Sequence, residues 1–221
     1  RVRPQAPADE RRLSVDHRHP AAAYAAAQGQ LAYYRLLEAQ GEITLLRTAG
    51  DLRRHWRQPA GEAGKQPIGI ILAMEGGDPI VAPEQAESWW RDGLRSVSLA
   101  HYGPSRYAVG TGESGPLTPA GRRLLAEFER LGMILDVTHL AEPGFTEALA
   151  LFGGPVMASH NNCRALVPGD RQFSDEQIRR LALRGAVIGV ALDAWMLHPD
   201  WRKGQTPRGA ACGHNGSGAF V

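Results

Sequence analysis

The stretch from Leu131 to Arg171 limits the possible fold more than any other part of the chain. Two short apolar runs, Met133-Ile134-Leu135-Asp136-Val137 and Pro155-Val156-Met157-Ala158-Ser159, each lead into a histidine, His139 and His160. Between them, Glu142 to Phe152 has the length and pattern of a helix, with Pro143 in the first turn, where a missing N–H is tolerated. Strand, helix and strand in that order form the parallel crossover unit. Both imidazoles are therefore expected at the carboxyl-terminal edge of one sheet, where such folds place their chemistry.

The same arrangement recurs along the chain. Ala21 to Gly41 reads as a helix, Ile43 to Leu46 as a short strand, Ala49 to Trp56 as a second helix and Pro59 to Gln66 as a loop. The run Ile68 to Met74 reads as one strand buried on both faces, followed directly by Glu75-Gly76-Gly77. Two glycines let the backbone turn sharply and leave the Glu75 carboxylate placed as a ligand; taken by itself, a solvated loop glutamate is the simpler reading. Pro83 to Asp92 is expected to be helical, and Leu94 to Ala100 a strand delivering His101.

Tyr102 to Pro116 is a Gly- and Ser-rich loop of a length that is often functional in compact domains. Thr118-Pro119 gives a cap and a first-turn proline for a helix to about Leu131, stopped by Gly132. Ser174 and Gln177 have capping-box spacing for a helix to about Arg184, and Ala186 to Leu192 reads as a further strand delivering Asp193. Glu75, His101, His139, His160 and Asp193 thus share one placement, as active-site residues do on the rim of a (β/α) barrel. A lone histidine is more often a hydrogen-bonded structural residue. Five polar groups repeated at the same point of a repeating unit argue against that reading.

Composition bounds the chemistry. The chain has 221 residues, 43% of them hydrophobic, enough for a core and consistent with one domain. Formal net charge is +2, from 25 Lys+Arg against 23 Asp+Glu, and the basic residues form no stripe, so nucleic acid is not implied as a partner. No apolar run approaches the roughly 20 residues needed to span a bilayer. Cys163 and Cys212 form no CxxC pair, which is compatible with a reducing, cytoplasmic setting. Two histidines and a carboxylate suit zinc and leave room for a water on the metal. Such water loses a proton near neutral pH and can hydrolyse an amide or ester. Asp16, His17 and His19 also suggest a metal site, but nothing around them in the sequence would hold them rigid.

Met74-Glu75-Gly76-Gly77, Leu99-Ala100-His101-Tyr102, Gly132 to His139, Ala158-Ser159-His160 and the downstream Arg171 together resemble the membrane dipeptidase (renal dipeptidase) family of zinc peptidases, in particular its soluble bacterial branch. The resemblance runs from about Tyr24 to Trp201. It implies an α/β fold of the (β/α)8 TIM-barrel type and hydrolysis of dipeptides at two zinc ions. By the same resemblance Glu75 bridges the metals, His139 and His160 bind the second zinc, His101 contacts the substrate at the reacting carbonyl, and Arg171 holds the substrate carboxylate. A guanidinium suits that last task because it grips a carboxylate bidentately. Arg164 is a rival for it and reads as structural.

Two family features are missing. No His-x-Asp pair precedes Glu75, and no Gly-x-Asp-x-Asp-Gly element follows; Arg208 to Val221 contains no Asp, and Asp193 lies too early to replace it. The expected layout is a polar leader over 1–20, a partial barrel over 21–201 and an irregular tail over 202–221, an internal segment of a longer barrel holding one zinc rather than two. Open strand edges would favour association, for instance as a homodimer. A barrel-type lactonase or deaminase, or a non-catalytic remnant, are the competing readings, since a fold does not fix its chemistry.

Overall fold

The structure, a computed structural model, describes residues 19–57 and 66–206. Asp16, His17, most of the Pro59 to Gln66 loop and the tail from Arg208 onward lie outside the described residues. By contact density the chain divides into two compact units, residues 1–155 and 156–221.

The first unit opens with α1 (Pro20–Ala39), an Ala-rich helix. His19 precedes it, and its Nδ1 accepts a hydrogen bond from Ala21 N at 3.2 Å. An orphan donor of the first turn is thereby satisfied, so His19 serves α1 as its cap. Strand β1 (Ile43–Leu45) leads to α2 (Ala49–Arg57). The start of α2 is fixed reciprocally: Thr48 N donates to Asp51 Oδ2 at 2.8 Å, and Asp51 N donates to Thr48 Oγ1 at 3.0 Å.

The run from Ile68 to Met74 corrects the sequence reading. It forms two strands, β2 (Ile68–Ile70) and β3 (Leu72–Met74), separated at Ile71. β2 pairs in parallel with β1, Ile43 opposite Ile68, while β3 pairs in parallel with β4 (Leu94–Ser98) after a register shift between Leu72 and Ala73. The run is not buried on both faces either, since Ile68, Ile71 and Ala73 are exposed. A continuous apolar run cannot report that the chain changes partner halfway along it. Pairing is a long-range fact.

After a single 3-10 turn, α3 (Ala86–Arg91) precedes β4, and α4 (Pro119–Leu131) precedes β5 (Ile134–Asp136). β4 and β5 are parallel, with Val97 opposite Leu135. Thr118 caps α4 by accepting from Gly121 N, and Gly132 ends it in the left-handed region at φ 69°, as the sequence indicated. α5 (Glu142–Leu151) completes the series. Val97, Leu124, Phe128, Met133, Leu135, Val137, Phe145 and Ala148 are fully buried, so β4 and β5 and the inward faces of α4 and α5 share one core. Burying each large side chain of this kind contributes about 1.5–3 kcal/mol.

The second unit contains β6 (Val156–Ala158), α6 (Asp175–Leu183), β7 (Val187–Ile188) and a single-turn helix, α7 (Ala194–Leu197). β6 and β7 are parallel, Met157 opposite Val187. The Ser174 capping box is present in both directions. Replacing Ser174 by Ala removes an acceptor from the start of α6 and is expected to lower stability by about 1 kcal/mol, read as a reduced urea midpoint with an unchanged slope; an unaltered midpoint would show that α6 does not depend on its cap.

β7 is a second correction. It covers only Val187–Ile188 rather than Ala186 to Leu192, and Val190 and Leu192 are exposed. Asp193 is not delivered at a strand end: it stands at the cap position of α7, where its Oδ2 accepts from Trp195 Nε1 at 2.7 Å. β-branched composition fits a pleated surface, but Gly189 ends the ladder. Its N–H donates to Ala158 O and its carbonyl accepts from Asn161 N, both at 2.8 Å.

Candidate metal centre

In the first unit, three parallel strands carry the predicted residues towards one another. β3 ends at Met74 and presents Glu75. Gly76 follows at φ 90°, and its N–H donates to the buried Ser98 Oγ at 2.7 Å, which ties the Glu75 turn to the end of β4. β4 leads to His101 and β5 leads to His139. Glu75 Oε1 lies 3.2 Å from His139 Nε2 and 3.7 Å from His101 Nε2. The rings of His101 and His139 meet edge to face with centroids 4.4 Å apart. Half of the Glu75 and His101 side chains is exposed, whereas the His139 side chain is 2% exposed. A carboxylate oxygen and a buried imidazole nitrogen thus converge on a space open to solvent on one side. That is a fitting donor set for a divalent cation of borderline softness.

His139 has an unusual backbone, φ 69°, which is left-handed for a non-glycine residue. Such a conformation costs on the order of 1–2 kcal/mol and persists only where the surroundings enforce it. Here Leu140 N closes a tight turn onto Val137 O at 3.2 Å, and Ala141 N donates to Val109 O at 3.1 Å. Asp136, at the end of β5, accepts from Thr138 N at 3.0 Å and shapes the approach.

Residues to which the sequence reading gave no role hold this arrangement. Thr111 Oγ1 lies 3.0 Å from His139 Nδ1, and Tyr102 packs edge to face on both His101 and His139, with centroids 4.7 Å and 4.9 Å away. Both belong to the Tyr102 to Pro116 loop, which its length singled out but whose contacts the sequence did not show. Within it, Tyr107 is fully buried, donates its hydroxyl to Ile80 O, and has its phenol pushed by burial up to about 12. An open cavity of about 790 Å³ adjoins the centre, with Met74, Glu75, His101, Tyr102 and Tyr34 among its lining residues.

In the second unit, His160 follows β6, and its Nδ1 lies 2.8 Å from Ser159 Oγ. Arg171 is 4% exposed, and its guanidinium donates to Asn161 Oδ1 at 3.1 Å and to His160 O at 2.8 Å. Arg164 donates instead to Gln172 O and Gln177 Oε1, which makes it a brace for the segment before α6. The structural role expected for Arg164 agrees with those contacts.

Parallel α/β strands that bring a carboxylate and imidazoles to their carboxyl ends define a candidate metal centre. The family described as Membrane dipeptidase (Peptidase family M19) matches residues 12–209, and the chain belongs to that family. Dipeptidase tcpJ of Claviceps purpurea is 33% identical over 117 residues, covering 51% of this chain and 28% of that protein. An uncharacterized protein in the pqqA 5′ region of Klebsiella pneumoniae is 35% identical over 125 residues, 53% of this chain and 46% of its own length. The chain therefore spans less than half the length of these curated relatives.

Two solved structures are similar. A metallo peptidase from Rhodobacter sphaeroides, liganded with a phosphinate mimic of the dipeptide L-Ala-D-Ala, matches with a TM-score of 0.75 at 27% identity, over 88% of this chain and 56% of that one. The dipeptidase AC, a metallo peptidase, matches with a TM-score of 0.76 at 26% identity, over 88% and 59%. The match to the family bears out the resemblance read from the sequence. Among the described residues no helix is long and apolar enough to cross a membrane.

Proposed function

We propose that this chain carries the metal-binding half of the active site of a zinc dipeptidase built on a (β/α)8 barrel. The observation that carries the reading is the convergence of Glu75 Oε1 and His139 Nε2 at 3.2 Å at the carboxyl ends of parallel strands, in a chain matched by the dipeptidase family over residues 12–209. By the family resemblance Glu75, His139 and His160 are the proposed metal ligands, two imidazoles and a carboxylate, and Glu75 would be the ligand shared with a second ion. Bound zinc would lower the pKa of a water and polarise a peptide carbonyl.

The remaining roles fall to the protein. His101, beside Glu75 and half exposed, is the proposed contact to the carbonyl of the scissile bond. Arg171 is the proposed partner of the substrate carboxylate, its guanidinium already oriented by Asn161 and the His160 carbonyl. An oriented guanidinium loses less freedom on binding than a mobile one. The open cavity beside Glu75 and His101 gives a small, two-residue substrate access to the centre.

The test joins elemental analysis to a substrate panel. Purified, dialysed protein is expected to retain zinc, one ion per chain for the Glu75-His139-His160 site and two where a further site is complete. It is expected to release free amino acids from dipeptides, including those ending in D-Ala, and to leave lactones and amino-heterocycles intact. Hydrolysis confined to lactones or heterocycles would replace the dipeptidase reading with another barrel hydrolase. Retained zinc without turnover of any of them would mark a binding remnant.

A further inference from the structure

We propose that Thr111 is a positioning residue for the metal centre, and that its hydroxyl holds His139 in the tautomer that leaves Nε2 able to bind a metal. The inference rests on the zinc site proposed above and names a residue that this site requires. Thr111 Oγ1 is 3.0 Å from His139 Nδ1 and 3.5 Å from the His139 carbonyl oxygen. A carbonyl oxygen only accepts, so a hydroxyl proton directed at it leaves the hydroxyl oxygen's lone pairs for Nδ1–H. The proton of the neutral ring is then held on Nδ1, and the lone pair of Nε2, 3.2 Å from Glu75 Oε1, would be available to a cation placed between the two groups. A ligating histidine generally needs such an outer partner, which fixes both tautomer and ring orientation.

The placement of Thr111 is built rather than incidental. Thr111 is 7% exposed and the His139 side chain 2%, so water competes poorly for this hydrogen bond. Thr111 N donates to His101 O at 3.0 Å and Gly103 N donates to Thr111 O at 3.0 Å, so the residue is held from both sides of its own backbone. Gly110 forms a bridge with Leu140, and Ala141 N donates to Val109 O, which fastens the same strand of loop to the segment after His139. One short segment therefore connects His101, which precedes it, to His139, which follows it by 28 residues. In the second unit Ser159 Oγ lies 2.8 Å from His160 Nδ1.

The experiment measures zinc affinity by competition with a chromophoric chelator for the wild-type protein and for Thr111→Val, Thr111→Ser and His139→Ala. Val keeps the shape and removes the hydroxyl, whereas Ser keeps the hydroxyl. Thr111→Val is expected to weaken zinc binding by about 10–100-fold, the usual consequence of losing such an outer partner, and Thr111→Ser to stay within about threefold of wild type. In ¹⁵N-histidine spectra of the zinc-loaded proteins, the His139 Nδ1 proton should be retained in slow exchange in wild type and Thr111→Ser and exchange faster in Thr111→Val. Thr111→Val binding as wild type does, while His139→Ala loses zinc, would overturn the role of Thr111 and leave the metal site standing. Equal weakening in the Ser and Val variants would assign the effect to packing and also overturn it. Wild-type protein without zinc affinity would remove the site and this inference together.

Discussion

Glu75→Gln is expected to reduce metal-dependent dipeptide hydrolysis by about three orders of magnitude, and His139→Ala by at least as much. The charge of Glu75 is the property at stake. Gln keeps the length of the side chain and an oxygen that could occupy the place of Oε1, 3.2 Å from His139 Nε2, but it brings no negative charge to a bound cation. Losing several kcal/mol of charge stabilisation in the transition state corresponds to about a thousandfold in rate, at about 1.4 kcal/mol per factor of ten. His139→Ala removes a buried nitrogen donor and leaves Thr111 without its ring partner. The measurement is kcat/KM for a dipeptide at saturating zinc, with circular dichroism to show that the fold persists. Wild-type turnover in both variants would remove Glu75 and His139 from the chemistry.

That prediction was accessible from sequence because its residues follow local patterns. His139 and Glu75 each stand just beyond an apolar run, and the run, the turn after it and the preceding helix are all encoded within about a dozen neighbouring residues. Thr118, Pro119 and Gly132 delimit α4 by the same local logic, and Ser174 with Gln177 does so for α6. What the sequence did not reveal depends on distant partners. Ile68 to Met74 has the composition of one strand, and only its pairing, β2 with β1 and β3 with β4, divides it at Ile71. Ala186 to Leu192 has strand composition as well, yet its ladder covers only Val187–Ile188, beyond which Gly189 bonds Ala158 and Asn161 outside the regular register.

The same distinction runs through the centre. Thr111 is 28 residues from His139 and carries no periodic signal. The one hint was the pair of glycines flanking it, Gly110 and Gly112, in a loop long enough to be suspected. Ser98, which accepts from Gly76 N, looks in sequence like any polar residue at the end of a strand. Glu75, His101 and His139, singled out in the sequence, lie together at the strand ends, whereas Thr111 and Ser98, which bond that region in place, carried no such signal.

Gly110 offers the sharpest test of that holding framework. A Cβ built on it would lie 1.9 Å from His101 O and 2.7 Å from the His101 carbonyl carbon, so the obstacle is backbone that cannot swing aside. The same carbonyl accepts from Thr111 N at 3.0 Å. Gly110→Ala must therefore push His101 and Thr111 apart, breaking a bond on each side of the loop and moving two groups that face His139. The expected cost is more than about 3 kcal/mol, in the range of severe overpacking, together with loss of zinc affinity. Gly103 is the matched control in the same loop. It has φ 72° and nothing within 4 Å of a Cβ, so Gly103→Ala meets only backbone strain, about 1–2 kcal/mol. Urea denaturation of both variants separates close approach from dihedral preference: a Gly110→Ala variant no less stable than Gly103→Ala would mean that the loop does not press against His101, and that the centre is held by something other than the Gly110-Thr111 segment.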